Sequence, residues 1–201
     1  MYVKRSRQVE RSEATRAALV TAARRLFARR GFGGVGTEEI VRAAGVTRGA
    51  LYHQFDGKAE LFAAVFEQLE GELAQRLVAA AAAAAAEDPV AALRAGAEAW
   101  LDACAEEEVR RIALLDAPAV LGFERWRAIG LRYGFGLVEG SLRAAMDAGQ
   151  LPRGPVTALA HVLIGALDEA ALYVATAEDA AAARAEVGTV LDRLMAALTA
   201  S

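Results

Sequence analysis

The sequence is poor in the residues on which most catalytic and metal chemistry depends. It holds one cysteine, Cys104, and two histidines, His53 and His161, in 201 residues. A single thiol excludes an internal disulfide and suits a reducing cytoplasm. No metal-ligand spacing occurs and no glycine-rich loop follows a strand, so catalytic residues, a bound metal and a cofactor are all expected to be absent. The most an enzyme can assemble here is His161 with Cys104, or Asp168 with Glu169, without the supporting groups such chemistry needs. Only four prolines are present, and no segment alternates as a strand would. The longest apolar run, 77–86, is ten residues of mostly alanine, too short to span a bilayer. No apolar segment follows the basic N-terminus as in a signal peptide. The expectation is a soluble, cytoplasmic, non-enzymatic protein with no membrane partner.

What is present is helix-forming. Hydrophobic residues make up 55% of the chain, which excludes disorder, and alanine, leucine, arginine and glutamate dominate. The net charge of −3 conceals an asymmetry: residues 1–60 carry twelve Lys and Arg against six acids, and the remainder eleven against twenty. A basic N-terminal third on an acidic chain is the electrostatic pattern of one face made for phosphates, although a solvated basic helix has the same composition.

Leu19, Ala22, Ala23, Leu26 and Phe27 form one stripe at helical spacing, so a first helix is expected over 12–30, capped by Ser12 and stopped by Gly31. Thr37 is expected to cap a second helix with Ile40, Ala43 and Ala44 inward. Gly45 supplies the left-handed turn, and Thr47 caps a two-turn helix, 48–55. There Leu51 and Phe55 face inward and Arg48, Gly49, Tyr52 and His53 outward. Helix, glycine turn and short helix is the layout of a helix-turn-helix. In this reading Arg48 reads guanine, Gly49 and Ala50 let the helix sit deep, Tyr52 and His53 donate to phosphates, and Lys58 adds a charge. Thr37 and Thr47 place helix N-termini towards phosphates. A long helix, 57–86, follows. Further helices are expected over 90–106, 109–115 (broken at Asp116-Ala117-Pro118), 123–148, 156–175 and 180–200. The fold class is all-α, with an N-terminal helix-turn-helix domain in residues 1–60 and a helical domain in 61–201.

The segments LFARRGF, TEEIVRAAGVTRGALYHQF and Phe55-Lys58-Leu61 resemble the N-terminal domain of the tetracycline-repressor family of bacterial regulators over residues 16–66. Gly57 stands where Ser, Asn or Asp is common, and Gln54 where histidine is frequent. LLDAPAVLG, ERW and LIGALDEAAL resemble, more loosely, the ligand-binding half of the same family. The resemblance implies a homodimer on a pseudo-palindromic operator in double-stranded DNA, released by a small effector whose identity the sequence does not give. It favours repression over activation only because most of the family are repressors. The dimer face is placed on Leu163, Leu167 and Leu172 of one helix and Leu191, Leu194, Met195 and Leu198 of the next, stripes that would serve a monomer core equally well. Trp100, Cys104, Trp126, Tyr133, His161, Asp168 and Tyr173, polar or aromatic residues on apolar stretches, are the candidates for an effector pocket, expected to take a largely apolar or aromatic molecule. The rival is a helical binding module with a vestigial DNA head. Retention of Arg48, Tyr52 and Lys58 speaks against it.

Overall fold

The computed structural model describes residues 2–84 and 88–199, with side chains from Gln8 onward. The charges of Lys4, Arg5 and Arg7 and the expected helix ends at Ala86 and Ala200 lie outside the described residues. Among the described residues there is no strand. The helices are α1 (Tyr2–Arg30), α2 (Thr37–Ala44), α3 (Arg48–Gln54), α4 (Lys58–Ala84), α5 (Pro89–Ala105), α6 (Glu107–Val109), a π-helical stretch Arg110–Asp116, α7 (Ala117–Leu121), α8 (Phe123–Asp147), α9 (Val156–Thr176) and α10 (Ala180–Thr199). The chain forms two compact units. The first is Met1–Leu69 with Arg111–Trp126, and the second Glu70–Arg110 with Arg127–Ser201. Three chain connections join them, one of them inside α4.

The first unit is built on aromatic packing. Phe27, Phe32 and Phe62 meet with ring centroids 5.3–5.7 Å apart, two of the three pairs edge to face. The arrangement sets positive ring edges against negative faces. Leu19, Ile40, Leu51, Leu61, Val65 and Phe66 complete the core. The Lys58 ammonium lies 3.9 Å from the Phe32 ring centroid and donates to the carbonyls of Phe32 and Val35, both at 2.9 Å. It thereby pins the α1–α2 loop to the start of α4. Arg30 makes a two-pronged ion pair with Glu39 and donates to the Gly34 carbonyl, which fixes the other side of the same loop. The Arg111–Trp126 segment is held to this unit by Asp116, which accepts from the Phe32 N–H at 2.7 Å, and by Arg125, paired through both nitrogens with Glu60.

Several boundaries differ from expectation. Ser12 is not a cap: α1 starts ten residues earlier, because nothing between Tyr2 and Ser12 breaks a helix, and the Ser12 hydroxyl accepts from Gln54 Nε2 at 2.7 Å. Thr37 is the first helical residue rather than the cap. Gly36 holds the cap position with no side-chain bond. In α2 the buried face is Ile40 and Val41, and Ala43 is exposed. Gly57 directly precedes α4, its carbonyl accepting from the Leu61 N–H at 3.3 Å, and its φ of +90° is a conformation that L side chains rarely adopt. The expected break at Asp116-Ala117-Pro118 is absent. The wider π turn runs straight into α7, with Pro118 in its first turn, where the missing N–H is no loss.

In the second unit Leu93, Leu142, Ala145, Met146, Leu151 and Ala160 form a core to which Phe135, Leu163, Met195 and Leu198 add. α9 packs on α5 and α10. It is long and apolar enough to cross a membrane by length and composition, which a search for unbroken apolar runs overlooks. Here it carries Asp168 ion-paired to Arg127 at 2.7 Å. Arg184 of α10 pairs with Glu98 and Asp102 of α5.

Replacing Lys58 with methionine keeps the stem but removes both carbonyl bonds and the charge over Phe32. The expected result is a loss of about 2 kcal/mol of stability, read as a lower urea midpoint. An unchanged midpoint would show that the loop holds without it.

Candidate nucleic-acid interface and effector site

The exposed surface of α3 is the candidate interface. Gly45 takes φ +66°, and the N–H groups of Gly45 and Val46 return to the carbonyls of Arg42 and Val41, closing the end of α2. Thr47 then caps α3, its hydroxyl accepting from the Ala50 N–H at 3.2 Å. The seven-residue α3 is anchored by Leu51, fully buried, and by Phe55 just beyond it, over whose ring the Arg16 guanidinium sits at 4.4 Å. This anchoring turns Arg48, Gly49, Tyr52 and His53 outward.

The Arg48 side chain is 62% exposed, pairs with Glu38 at 2.9 Å and lies 5.6 Å from the Tyr52 ring centroid. An ion pair this exposed holds little free energy and is easily given up. Ala50 is half-buried and, with His53 and Gln54, lines a groove against Gln8, Arg11 and Thr15 of α1. Thr47 is exposed, Thr37 half-buried at the start of α2. Lys58 departs from the surface charge expected: it is half-buried, with two carbonyls as partners.

The seven pocket candidates do not come together. Trp126 belongs to the first unit, and its indole N–H is satisfied by the Ala113 carbonyl at 3.0 Å. His161 is exposed, its ring 4.8 Å from that of Phe135, and Tyr173 is exposed with its hydroxyl on Glu186. Tyr133 is half-buried against Gly71. Trp100, Cys104 and Asp168 remain as interior residues of the second unit. Cys104 is buried, and Trp100, one turn away on the same helix, is half-buried with its indole N–H enclosed and lacking a partner among the described residues.

Sequence reasoning missed two members of this interior, Glu70 and Arg127. Glu70 is 7% exposed, the one buried ionisable residue besides cysteine among those described. It follows Phe62 and Phe66 at four-residue steps and precedes Leu73 by three, so an acid on the apolar stripe of α4 was the available signal. Burial, with the Asp168 charge adding to it, pushes the Glu70 carboxyl up to about 7. Burial likewise raises Asp168 to about 6, although the Arg127 guanidinium pulls it down. The Cys104 thiol is pushed far up, by burial first and by Glu70 and Asp168 next. It is therefore an inert thiol rather than a nucleophile.

The expected dimer residues also divide. Leu163, Met195 and Leu198 are half-buried and pack against the unit's own core. Leu167, Leu172 and Leu191 are half-buried, and Leu194 is exposed. Val162, Tyr173 and Val190, with Leu194, make the exposed apolar surface of α9 and α10.

Residues 19–65 match the family model described as bacterial regulatory proteins, tetR family, and residues 90–198 the model of the tetracyclin repressor-like C-terminal domain. A crystal structure of a TetR-family transcriptional regulator from Pectobacterium atrosepticum is 33% identical, with a TM-score of 0.84, over 96% of this chain and 97% of that one. The HTH-type transcriptional regulator TtgR of Pseudomonas putida is 38% identical over 88 residues, 44% of this chain and 41% of that protein. The match thus spans less than half of that relative. The fold also matches that of RolR in complex with resorcinol, at 20% identity and a TM-score of 0.73, over 92% of this chain and 89% of that one.

Glu70 gives a pH test. Its folded-state value near 7 lies above the ordinary 4.5, so the folded protein holds the proton that the unfolded chain releases. Stability therefore falls as pH rises from about 4.5 to about 7. Glu70→Gln, neutral throughout, is expected to be more stable than the parent by up to about 3 kcal/mol near pH 8 and equal to it near pH 4. Thermal melts of both proteins at the two pH values decide it. A variant less stable at the higher pH would mean that Glu70 is compensated in the parent.

Proposed function

The chain belongs to the tetracycline-repressor family of bacterial regulatory proteins, and from that premise we propose that it is a cytoplasmic, ligand-responsive transcriptional repressor. It binds a pseudo-palindromic operator as a homodimer and leaves it when a small, largely apolar or aromatic effector binds the second unit. The observation that carries this reading is α3: a short helix with Leu51 buried, a capped N-terminus, and Arg48, Gly49, Tyr52 and His53 directed outward.

In this reading the face of α3 enters the major groove. Arg48 leaves Glu38 to donate both guanidinium nitrogens to a guanine, Gly49 permits close approach, and Tyr52 and His53 donate to phosphate oxygens. Ala50 sits at the rim beside α1. Thr37 and Thr47 contribute the starts of α2 and α3. Lys58, whose ammonium has three hydrogens and two carbonyl partners, has at most one left for a phosphate. One such helix reads only a few base pairs, which is the physical reason for a dimer with half-sites about 34 Å apart. The exposed apolar residues Val162, Tyr173, Val190 and Leu194 support a dimer face on α9 and α10, as does the apolar length of α9.

The interior of the second unit supports the effector. Trp100, Cys104 and Asp168, with Glu70 and Arg127, set a few polar groups in an apolar helical surround, the composition of small-molecule sites. RolR, of the same fold, binds resorcinol, an aromatic molecule of the expected kind. Release requires an effector that binds the DNA-free arrangement better than the DNA-bound one. α4, which runs from the first unit into the second, is the natural carrier of the change.

Selection of genomic fragments by the purified protein at moderate salt tests the reading. Recovery of a palindrome is expected; weak binding that ignores sequence would leave only a ligand- or protein-binding module. On the recovered operator Arg48→Ala should weaken binding by about 1–3 kcal/mol per half-site and relax preference at one base pair, measured by fluorescence anisotropy. Val190→Glu with Leu194→Glu should convert the dimer to monomer in light scattering and abolish operator binding together. A doubly substituted protein that stays dimeric would move the interface elsewhere.

A further inference from the structure

The second unit encloses a carboxyl group with nothing to neutralise it. Glu70 of α4 is 7% exposed, and no cation is among the groups that bear on its charge. The groups that bear on its charge are acidic or neutral. Asp168 of α9 lies close enough to oppose its ionisation, and Cys104 of α5 close enough to feel its charge. The nearby cation, Arg127 of α8, is committed to Asp168 at 2.7 Å, and those two charges cancel. On the same face of α5 as Cys104, Trp100 keeps an enclosed indole N–H with no acceptor. A buried carboxyl with no cation to pair it and an enclosed donor with no acceptor are costly in a protein that only needs a core there. A leucine or glutamine would fill the Glu70 position at less cost.

Resting on the effector-site reading above, we propose that the effector is a hydrophobic organic cation whose protonated amine pairs with the Glu70 carboxylate inside the second unit. The apolar surround takes the body of the molecule, and Trp100 supplies a donor or a ring face to its other end. Without the ligand Glu70 keeps its proton. With it the proton leaves to solvent as the ammonium arrives, so the buried charge is balanced in both states. Anionic molecules gain no partner there, because Glu70 would have to stay protonated and the Arg127 charge is already taken by Asp168. This is the discrimination that an uncompensated carboxylate provides.

The test uses the full-length protein and three probes of one shape: phenylbutylamine, phenylbutanol and phenylbutyrate. Titration calorimetry is run on the parent, Glu70→Gln and, as a second variant, Asp168→Asn. The expected order is amine, then alcohol, then carboxylate, with the amine favoured about tenfold or more. That advantage is lost in Glu70→Gln while the alcohol binds both proteins alike. In Asp168→Asn, where Arg127 is left uncancelled, the advantage shrinks. Near pH 6 amine binding should release up to one proton in the parent, with a smaller release in Glu70→Gln and none on alcohol binding. An alcohol or carboxylate that binds as tightly as the amine, or an amine advantage that survives in Glu70→Gln, overturns the cation while leaving a ligand site in place. Failure of all three probes to bind also overturns it. Operator binding, measured separately on the same preparations, shows whether the regulator reading stands regardless.

Discussion

A helix of seven residues cannot hold itself together in water, since nucleating a turn costs more than so few hydrogen bonds return. Whatever α3 does for this protein therefore depends on what holds α3. The supports come from four directions. Leu51 is buried in the core, Thr47 closes the N-terminus, Phe55 is gripped beneath the Arg16 guanidinium, and Gln54 donates to Ser12 on α1. Behind them the edge-to-face phenylalanines, with the Lys58 ammonium over Phe32, fix the loop from which α2 starts. Outward-facing arginine, tyrosine and histidine are thus presented on a rigid mount, and rigidity is what base readout requires.

The second unit follows a different logic. Its helices pack around small and aliphatic residues, and alanine-rich surfaces let α5, α9 and α10 approach closely. Into that packing it admits the half-buried ion pairs of Arg127 with Asp168 and of Arg184 with Glu98, and one buried carboxyl, Glu70. The first unit uses half-buried polar groups such as Lys58 to fix loops, while Arg111 Nε is left without a partner among the described residues. The second encloses the Glu70 carboxyl and leaves the Trp100 indole N–H without an acceptor among the described residues. In the proposed reading such groups belong in the effector-binding unit, because the molecule that satisfies them gains the affinity.

Much of the first unit is legible in the chain. The glycine at 45, the threonine at 47 and the alternation of Leu51 and Phe55 with Arg48, Tyr52 and His53 are local signals, and the structure places those residues as the spacing implies. The departures are of two kinds. At Ser12 and Thr37 residue preference misleads, because α1 continues through Ser12 and Gly36 holds the cap position before Thr37. At Lys58 charge misleads, because two carbonyls brought near by the fold take its protons. In the second half of the chain Trp126, His161 and Tyr173 look like pocket residues because they are aromatic or polar on apolar helices. Helix periodicity does not say which neighbour each face meets, and here one bonds Ala113, one stacks on Phe135 and one points to solvent.

By itself the sequence determined the helical character of the chain, the helix-turn-helix, the inward and outward faces of α3 and the charge asymmetry between the two parts. All of these depend on residues within a few turns of one another. Only the tertiary structure decided that residues 111–126 join the first unit, that Leu163, Met195 and Leu198 pack on their own unit's core, and that Glu70 is buried with the Asp168 charge opposing its ionisation. Those outcomes depend on which distant segments meet. Burial and charge compensation are properties of that meeting, and no local spacing encodes them.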